Sequence, residues 1–307
     1  MEFESYQQYW DDKAQTPESA LLAVDGSSDE SIVRNTGRFA ADQVRAALDL
    51  QAADLALELG CGVGRIGREL LQHCRHWTGV DISEQMLDHA RQRLAPANNF
   101  SLHRLTKTSL SMLDDASVDK AYAIAVLCHM DKEDLFLYLE DLHRVLKPGG
   151  LIFVDTWNLA HPIGWKRWQY EVRFWQRSEQ TERKKVARNQ FCTPDEFELY
   201  ARQAGFQKLA CYTDSHWIQL VAGKQLDDAG IRAQQQRLAR AADQIAFSAL
   251  FTQLFDKTVA VIYGELHPRD ALAFLDQHAG CPEEALFRPF IQGIWANNTA
   301  HWGALDP

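Results

Sequence analysis

Short apolar runs alternate with amphipathic segments along residues 50 to 224 of the chain. The runs predict five strands followed by an antiparallel pair, at 55–59, 77–81, 100–105, 120–127, 151–155, 209–213 and 217–222. Apolar residues at helical spacing predict four helices between them, at 65–71, 84–94, 131–147 and 193–204. Such alternation is typical of a doubly wound α/β fold with a mostly parallel sheet, whose ligands bind at the carboxyl ends of the strands.

Local signals define where these helices begin and end. Ser83 and Asp131 each precede an amphipathic segment and are predicted N-caps. Thr193-Pro194-Asp195-Glu196 has the spacing of a capping box with proline at the first helical position. Pro148-Gly149-Gly150 predicts the end of the third helix, directly before the fifth strand.

Helical patterns flank the α/β region on both sides. Residues 1 to about 45 predict a pair of N-terminal helices, and residues 238–262 predict one long helix with a broad apolar stripe. Two shorter helices are expected at 269–279 and 283–296. We therefore expect a domain over 1–225 and a helical extension over 226–307. The apolar stripe needs a partner, which is the core domain, the roof of a ligand cavity or, in a homodimer, another copy of the chain.

The composition is that of a soluble globular protein, with 307 residues, 46% hydrophobic, and a net charge of −10 that disfavours nucleic-acid binding. The first five residues are acidic and lack an apolar segment, and no apolar run approaches the roughly 18 residues of a membrane span. We therefore predict a cytoplasmic protein without membrane contact. The six cysteines form no Cys-x-x-Cys pair, so reduced thiols and no metal site are expected.

The candidate chemistry is concentrated where the first strand ends, in Glu58-Leu59-Gly60-Cys61-Gly62-Val63-Gly64. Glycines at alternate positions allow a tight turn with positive φ and let the backbone approach a ligand. The second strand ends in Asp81, at the interval where a strand-helix-strand unit presents an acid to ribose hydroxyls. The pattern predicts a pocket of the nucleotide-binding type.

Together these motifs resemble those of class I S-adenosylmethionine-dependent methyltransferases, over residues 33 to about 224. Their first motif, an acid followed by Gly-x-Gly-x-Gly, is matched by Glu58, Gly60, Gly62 and Gly64. Their second motif is matched by Asp81, and the family's Pro-Gly-Gly before strand five by 148–150.

The resemblance implies S-adenosylmethionine as cofactor, with Gly60 and Gly62 against its methionine part and Asp81 on its ribose. It further implies that Ile82 and Met86 flank the adenine. Relatives often carry Gly-Asp after strand three, but Thr106 to Leu110 stand there, so backbone groups near Ser109 and Leu110 are expected to contact the adenine. The full predicted set is Glu58, Gly60, Gly62, Gly64, Asp81, Ile82, Met86, Ser109, Leu110 and Val126. The resemblance also implies that the N-terminal helices close over the cofactor, with Asn35, Gly37 or Arg38 as candidates for contact with its carboxylate.

The glycine turn is also compatible with two other functions. Residues 62–67 also satisfy the Gly-x-Gly-x-x-Gly pattern of dinucleotide-binding proteins, although the first glycine then comes two residues late and 148–150 has no explanation. A cofactor-binding regulator without transferase activity, with the helical extension as its partner surface, is the second alternative.

The segment 157–192, between the fifth strand and the helix at Thr193, interleaves basic and aromatic residues above the strand ends. Its position predicts a lid over an anionic or aromatic small-molecule acceptor, while a solvated helix hairpin is the plainer interpretation. Basic and aromatic residues together also suit RNA, which makes RNA methylation an alternative function.

The predicted reaction is methyl transfer to oxygen or nitrogen of a small molecule, with positioning as the main contribution of the protein. His129, just after the fourth strand, is the candidate general base, because histidine titrates near neutral pH. A hydrogen-bonded side chain that shapes the pocket is an equally good interpretation of His129. Asp155 and His161 are weaker candidates for the base.

Overall fold

The protein is described here by a computed structural model that covers residues 5–175 and 189–304, without the side chains of 174 and 175. Within these ranges a single sheet holds eight strands: β1 Leu55–Leu59, β2 His76–Asp81, β3 Phe100–Arg104, β4 Val118–Ala123, β5 Leu146–Asn158, β6 Phe191–Cys192, β7 Gln207–Tyr212 and β8 Trp217–Gly223. The order is β3-β2-β1-β4-β5-β8-β7, with β6 paired to β5 beside this path. Strands β1 to β6 pair in parallel, whereas β8 is antiparallel to both β5 and β7. The predicted mostly parallel, doubly wound sheet and its closing antiparallel pair are confirmed.

The helices of the described ranges are α1 Tyr6–Lys13, α2 Pro17–Asp25, α3 Glu30–Leu48, α4 Arg65–Leu70, α5 Glu84–Leu94, α6 Lys132–Val145, α7 Pro162–Tyr170, α8 Pro194–Gln203, α9 Asp228–Arg240, α10 Ala242–Ile245, α11 Ala249–Ile262, α12 Pro268–Asp276, α13 Glu284–Ala296 and α14 Thr299–Trp302. A 3₁₀ turn spans Leu127–His129 and a π-helical turn spans Glu171–Trp175.

Two of the three predicted N-caps, Ser83 and Thr193, make their capping hydrogen bonds, and Asp131 makes a different bond. Ser83 Oγ accepts from the Met86 amide (3.1 Å), and Thr193 Oγ1 accepts from the Glu196 amide (3.3 Å). Asp131 stands at the start of α6, but within the described residues its carboxylate makes no capping bond. It accepts instead from Gln190 Nε2 (3.2 Å), which joins α6 to the segment before β6.

The hydrophobic core lies on both faces of the sheet. One face packs against α6 and α8, and the other packs against α3, α4, α9 and α10. Leu238 of α9 and Ile245 of α10 are fully buried on the second face. Gln43 Nε2 and Gln219 Nε2 both donate to the Ile245 carbonyl, at 2.7 and 3.1 Å. The first part of the predicted extension therefore shares a core with the sheet, and the homodimer stays a prediction.

The predicted long helix over 238–262 is wrong. The chain leaves helical geometry at Ala246, where ψ is 145°, and Ser248 begins a new helix by accepting from the Phe251 amide (2.9 Å). The break lets α11 turn away from the sheet and form its own apolar cluster with α12 and α13.

The stretch Ala242–Ile262 is long and apolar enough to cross a membrane by length and composition, with a mean hydropathy of 1.4. Length and hydropathy alone are weak evidence for a membrane-spanning helix, because core helices of soluble proteins meet the same criteria. The stretch is also interrupted at 246–248.

The predicted fourth strand ends early, and the predicted N-terminal helix pair is a helix triplet. Strand β4 stops at Ala123 because Ala125 adopts a left-handed backbone conformation (φ 57°) that no strand continues through. Helices α1 and α2 precede α3, and both lie beside the glycine turn. These two differences shape the cavity described next.

Candidate active site

The glycine turn follows β1 and is fixed against β2. The amides of Gly60 and Cys61 both donate to the Val80 carbonyl, at 2.8 and 3.0 Å. Gly60 has φ 70°, and a Cβ placed there would lie 2.5 Å from both methyl groups of Val126. Gly62 has φ 51°, and its Cβ would meet Val24 at 3.0 Å. Only glycine is compatible with both the conformation and the space, so the turn exposes bare backbone.

A cavity of about 360 Å³ opens at this turn, where the carboxyl ends of β1, β2 and β4 meet. A cavity of that size is in the range of small-molecule and cofactor sites. Its lining comes from the turn, from the strand ends, from α1 and α2, and from α6: Ser5, Tyr6, Gln7, Trp10, Ala23, Val24, Glu58, Leu59, Gly60, Cys61, Gly62, Arg65, Ile66, Asp81, Ile82, Met86, Leu105, Thr106, Lys107, Thr108, Ile124, Ala125, Val126, His129, Met130, Asp134 and Tyr138.

Asp81 is a buried carboxylate held in place by backbone amides. Its Oδ2 accepts from Gly62 (2.8 Å) and its Oδ1 accepts from Ser83 (2.9 Å). Burial raises the pKa of Asp81 to about 6, although these amides lower it. The carboxylate is therefore mostly charged at neutral pH and lies at the cavity wall as a fixed hydrogen-bond acceptor.

Glu58 lies deeper, at the end of a buried chain of hydrogen bonds. Trp77 Nε1 donates to the Tyr122 hydroxyl (2.8 Å), which donates to Glu58 Oε2 (2.6 Å). Glu58 and Tyr122 are register partners on β1 and β4. Burial raises the pKa of Glu58 to about 8, so the carboxyl is mostly protonated at neutral pH.

Arg65, the first residue of α4, is a cation on the cavity wall. Its side chain is 15% exposed, and its Nε lies 3.8 Å from Oδ1 of the buried Asp25. The charge of Arg65 also lowers the pKa of Glu58 and of Asp155. It balances several carboxyl groups at once and leaves a guanidinium facing the cavity.

The segment after β4 forms the wall opposite the glycine turn. Asp155 Oδ1 accepts from the Ala125 amide (2.7 Å) and so holds the left-handed turn at Ala125. Burial raises the pKa of Asp155 to about 7. His129 lines the cavity with its ring edge-on to Trp10 (5.3 Å between centroids). Burial lowers the pKa of His129 to about 4, so its imidazole is neutral at physiological pH.

Helix α1 covers the cavity, and three hydrogen bonds hold it and the residue that follows it in place. The Asp131 amide donates to the Tyr6 hydroxyl (2.8 Å), Ser83 Oγ donates to Asp11 Oδ1 (2.6 Å), and His89 Nε2 donates to the Ala14 carbonyl (2.9 Å). Tyr6 and Trp10 of α1 line the cavity, in keeping with the expectation that the N-terminal helices close over the cofactor.

Eight of the predicted site residues line the cavity: Glu58, Gly60, Gly62, Asp81, Ile82, Met86, Val126 and His129. Gly64 does not, because it is the N-cap of α4 (φ 72°) and faces Leu94. Ser109 and Leu110 also lie outside the lining, because the loop turns inward and the Leu110 amide donates to Asp141 Oδ2 (2.5 Å). Thr106, Lys107 and Thr108 line the cavity in their place.

The three candidates on α3 lie outside the cavity lining. Asn35 is exposed, and Arg38 is 57% exposed with its Nε 3.8 Å from Glu69 Oε2. Gly37 is buried for a packing reason, because a Cβ there would lie 2.6 Å from the Arg65 carbonyl oxygen. Helix α3 therefore positions α4, and Arg65 is the cation that the sequence analysis missed.

The predicted lid is described only in part. Its first section is α7, where Trp165 and Trp168 stack (4.8 Å between centroids) and Arg167 lies over Tyr263 of α11 (4.9 Å). Arg177, Arg183, Lys184, Lys185 and Arg188, which carry most of the basic character of the segment, lie outside the described residues.

All six cysteines are free thiols, four of them buried. Within residues 5–175 and 189–304, no group of three or more His, Cys, Asp or Glu side chains is arranged to hold a metal ion.

Comparison with known proteins identifies the α/β region. A family profile described as a methyltransferase domain matches residues 56–150. The chain is 34% identical over 107 residues to an S-adenosyl-L-methionine-dependent Diels-Alderase of Talaromyces variabilis, a match that covers 34% of this chain and 36% of that protein. It is also 34% identical over 100 residues to a malonyl-[acyl-carrier protein] O-methyltransferase of Serratia marcescens, a match that covers 33% of this chain and 37% of that protein. The chain thus spans little more than a third of the length of these two relatives.

A solved structure shares the fold. The protein solved in complex with the Trm112 methyltransferase activator of Haloferax volcanii superposes with a TM-score of 0.53 at 17% identity, over 68% of this chain and 98% of that one. The sheet order, the glycine turn with Asp81 and the profile match agree with one another. Residues 56–150 therefore form a methyltransferase domain within the longer Rossmann-like sheet described above.

Proposed function

We propose that the protein binds S-adenosylmethionine in the cavity at the glycine turn and transfers its methyl group to oxygen or nitrogen of a small-molecule acceptor. The observation that carries this proposal is the combination, in one cavity of about 360 Å³, of the bare turn at Gly60 and Gly62, the buried carboxylate of Asp81 and the guanidinium of Arg65.

The chemistry of the lining fits each part of this cofactor. Ile82, Met86 and Leu105 supply the apolar surfaces that an adenine needs, and Asp81 supplies an acceptor for two ribose hydroxyls. The turn at Gly60 and Gly62 leaves room for the amino-acid part, because a Cβ at either position would meet Val126 or Val24. Arg65 is the cation suited to the carboxylate of that part.

S-adenosylmethionine supplies a methyl group that its sulfonium already activates, so the protein has to position the acceptor and exclude water. His129 lies at the cavity wall next to Trp10, and its lowered pKa makes it a weaker base than the ordinary titration of histidine implies. Its neutral imidazole is suited to accept the proton that an acceptor hydroxyl releases as its oxygen is methylated. Helix α1, held over the cavity by Tyr6 and Asp11, shields the site from solvent.

Two observations favour a small-molecule acceptor. A net charge of −10 disfavours polyanionic acceptors, and the relative from Serratia marcescens is named as an O-methyltransferase. The alternative of RNA methylation depends on basic residues of the segment 157–192, most of which lie outside the described part of the chain. It remains a prediction from the sequence.

A second candidate function is binding of the cofactor without methyl transfer. One relative of similar identity is named as an S-adenosyl-L-methionine-dependent Diels-Alderase, so the domain type occurs in proteins named for a different reaction. Binding and transfer therefore have to be measured separately.

The first measurement is calorimetry of the full chain with S-adenosylhomocysteine and, in parallel, with NAD. We expect heat from S-adenosylhomocysteine and none from NAD, and the reverse result would reject the proposal. The second measurement incubates the protein with methyl-labelled S-adenosylmethionine and metabolite extracts, followed by mass spectrometry. Label in a small molecule supports a transferase, whereas tight binding without any labelled product supports the second candidate.

The role of His129 is tested with the acceptor found in that screen. We expect His129→Ala to lower kcat roughly 100-fold or more, as for loss of a general base, and to leave the affinity for S-adenosylhomocysteine within about threefold. His278→Ala, at an exposed histidine of the helical extension, is the matched control. A near-normal kcat in His129→Ala at saturating acceptor would leave His129 with a shaping role only.

A further inference from the structure

Several buried polar atoms without a hydrogen-bond partner belong to residues outside the lining of the cavity at the glycine turn. Residues 5–175 and 189–304 contain eight such side-chain atoms, and five of them belong to Arg167, His216, Gln219 and Thr252. His216, Gln219 and Thr252 are 0%, 1% and 3% exposed. Proteins rarely leave buried polar groups unpaired, because each loses its hydrogen bonds to water and gains none in return. These unpaired groups need a local explanation.

The surroundings of His216 are almost entirely aromatic. We call this group the aromatic cluster; it comprises Trp157, Phe191, His216, Trp217, Phe247, Phe251 and Phe255. Trp157 and Trp217 are register partners on β5 and β8, and their rings stack with centroids 4.6 Å apart. The His216 ring stacks on Phe255 of α11 at 3.9 Å. Thr252 precedes Phe255 by one helical turn, so both side chains lie on the same side of α11.

The electrostatics around His216 favour a neutral imidazole. Burial lowers the pKa of His216 far below its usual range, and the nearby His161 and Arg167 lower it further. A neutral imidazole has one nitrogen that donates and one that accepts. Neither finds a partner among the described residues.

The aromatic cluster and the cofactor cavity are separated by a single turn of chain. In the 3₁₀ turn Leu127–His129, Cys128 packs against Trp157 and Phe191, while His129 lines the cavity. A second connection runs through Asp155, which holds the cavity-lining Ala125 and is the register partner of Gln219. A molecule held at the aromatic cluster would therefore lie across this turn from the candidate base.

Helix α7 covers this region through side-chain contacts with α11 and with the residues after it, which include a hydrogen bond from the Tyr170 hydroxyl to Glu265. Lys166 Nζ pairs with Asp256 of α11 at 2.8 Å, and both side chains are partly exposed, at 40% and 27%. Arg167 lies over the exposed ring of Tyr263 (4.9 Å). Exposed ion pairs and cation–π contacts of this kind are weak. Movement of α7 away from α11 would open a path to His216.

We propose that the aromatic cluster with His216 and Thr252 is a second ligand site, and that it binds an aromatic ring of the methyl acceptor through a hydroxyl group other than the one that is methylated. This assignment rests on the proposed transferase function and adds the acceptor class and its location. Trp217, the partly exposed member of the stacked pair, offers an aromatic surface for the ring. The unpaired groups of His216 and Thr252 offer the hydrogen bonds that a hydroxyl requires.

The test uses phenol as the probe, with benzene as the same ring without the hydroxyl and cyclohexanol as the hydroxyl without the aromatic ring. Ligand-observed saturation-transfer NMR on the full chain, saturated with S-adenosylhomocysteine, gives the three dissociation constants. We expect phenol to bind most tightly. His216→Phe and Thr252→Val should each weaken phenol at least fivefold and leave benzene within about twofold, since both keep the apolar shape.

Thr258→Val is the matched control, because Thr258 is also buried on α11 but its hydroxyl donates to the Leu254 carbonyl at 2.8 Å. It should leave phenol binding unchanged. Thermal unfolding adds an independent readout: Thr252→Val should match or exceed the wild-type Tm, because it removes an unpaired hydroxyl. Equal affinities for phenol and benzene, or phenol binding that neither variant weakens, would overturn the assignment. Failure of S-adenosylhomocysteine to bind would instead reject the proposed function, and the phenol result would still decide whether the site exists.

Discussion

The cavity at the glycine turn and the aromatic cluster lie on either side of the turn Leu127–His129. The buried polar groups named at the cavity are hydrogen-bonded, whereas the imidazole in the aromatic cluster has no such bond to any described residue. At the cavity, Asp81 is held by two amides, Glu58 by Tyr122 and Asp155 by Ala125. In the aromatic cluster, both nitrogens of His216 are unpaired within the described chain.

The difference reflects two ways of building a site. Fixed hydrogen bonds hold the groups of the cavity in place before any ligand arrives, which is what recognition of one fixed cofactor requires. In the aromatic cluster the polar groups are unpaired within the part of the chain that the structure describes, so a ligand would supply their hydrogen-bond partners. Such a site suits an acceptor that differs between related proteins. The predictions below test whether the cavity is as rigid as this comparison requires.

The largest effect is expected for Gly60→Ala. The new Cβ would lie 2.5 Å from the Val126 methyl groups at a residue with φ 70°, so both the turn and the opposite wall must move. The turn relieves this strain and overpacking, about 3 kcal/mol, by leaving the geometry that binds the cofactor, so we expect a loss of roughly 100-fold in S-adenosylhomocysteine affinity by calorimetry. Gly149→Ala is the control, because φ is 81° there as well but no described atom lies within 4 Å of its Cβ. Equal, intact affinities in both variants would show that the turn is not rigid.

The next largest effect is expected for Asp81→Asn, which should weaken S-adenosylhomocysteine by roughly 30-fold, since hydrogen bonds to a charged group contribute about 1.5–3 kcal/mol. The wild-type affinity should also fall between pH 7 and pH 5. The pKa of Asp81 is about 6 in the free protein, so protonation removes the acceptor in this range. The affinity of the variant should be flat over the same range. Asp88→Asn, at an exposed position of α5, should retain the wild-type profile.

Glu58→Gln should change the pH dependence of stability more than binding. Because burial raises the pKa of Glu58 to about 8, well above its unfolded value, its contribution to folding is full below about pH 4.5 and is lost as the pH rises to 8. The amide oxygen of Gln can still accept from Tyr122 but does not ionise. We expect similar Tm values at pH 5 and a Tm for the variant about 5 °C above wild type at pH 9. Glu84→Gln, at a residue whose side chain is 42% exposed, is the control, and parallel Tm curves for wild type and Glu58→Gln would contradict the prediction.

The features that the sequence predicted correctly depend on neighbours in the chain. The glycine turn, the acid that ends β2 and the cap at Ser83 each follow from residues within a few positions of one another. The order of strands and helices follows from local periodicity in the same way. The residues involved lie where strands β1 and β2 reach the cavity.

The features that the sequence did not predict depend on residues that are distant in the chain. The bond between Glu58 and Tyr122 joins residues 64 positions apart, and its existence requires the register of β1 and β4. The early end of β4 requires Asp155, which lies 30 positions beyond Ala125. The break at Ala246 sits in a continuous apolar pattern, where periodicity gives no warning. Unpaired polar atoms have no sequence signature at all, since the lack of a partner is a property of the folded neighbourhood.

The smallest effect is expected for Arg38→Ala, which tests where the cavity ends. Arg38 is 57% exposed and lies 3.8 Å from Glu69, a surface pair of the kind that contributes less than about 1 kcal/mol. Helix α3 meets α4 through Gly37, at the Arg65 carbonyl, so the Arg38 side chain is directed away from the lining. We expect S-adenosylhomocysteine affinity within twofold of wild type and a Tm within about 2 °C. Glu69→Ala should behave in the same way, and a loss of more than fivefold in affinity for Arg38→Ala alone would mean that α3 reaches the cofactor and that the cavity is larger than its described lining.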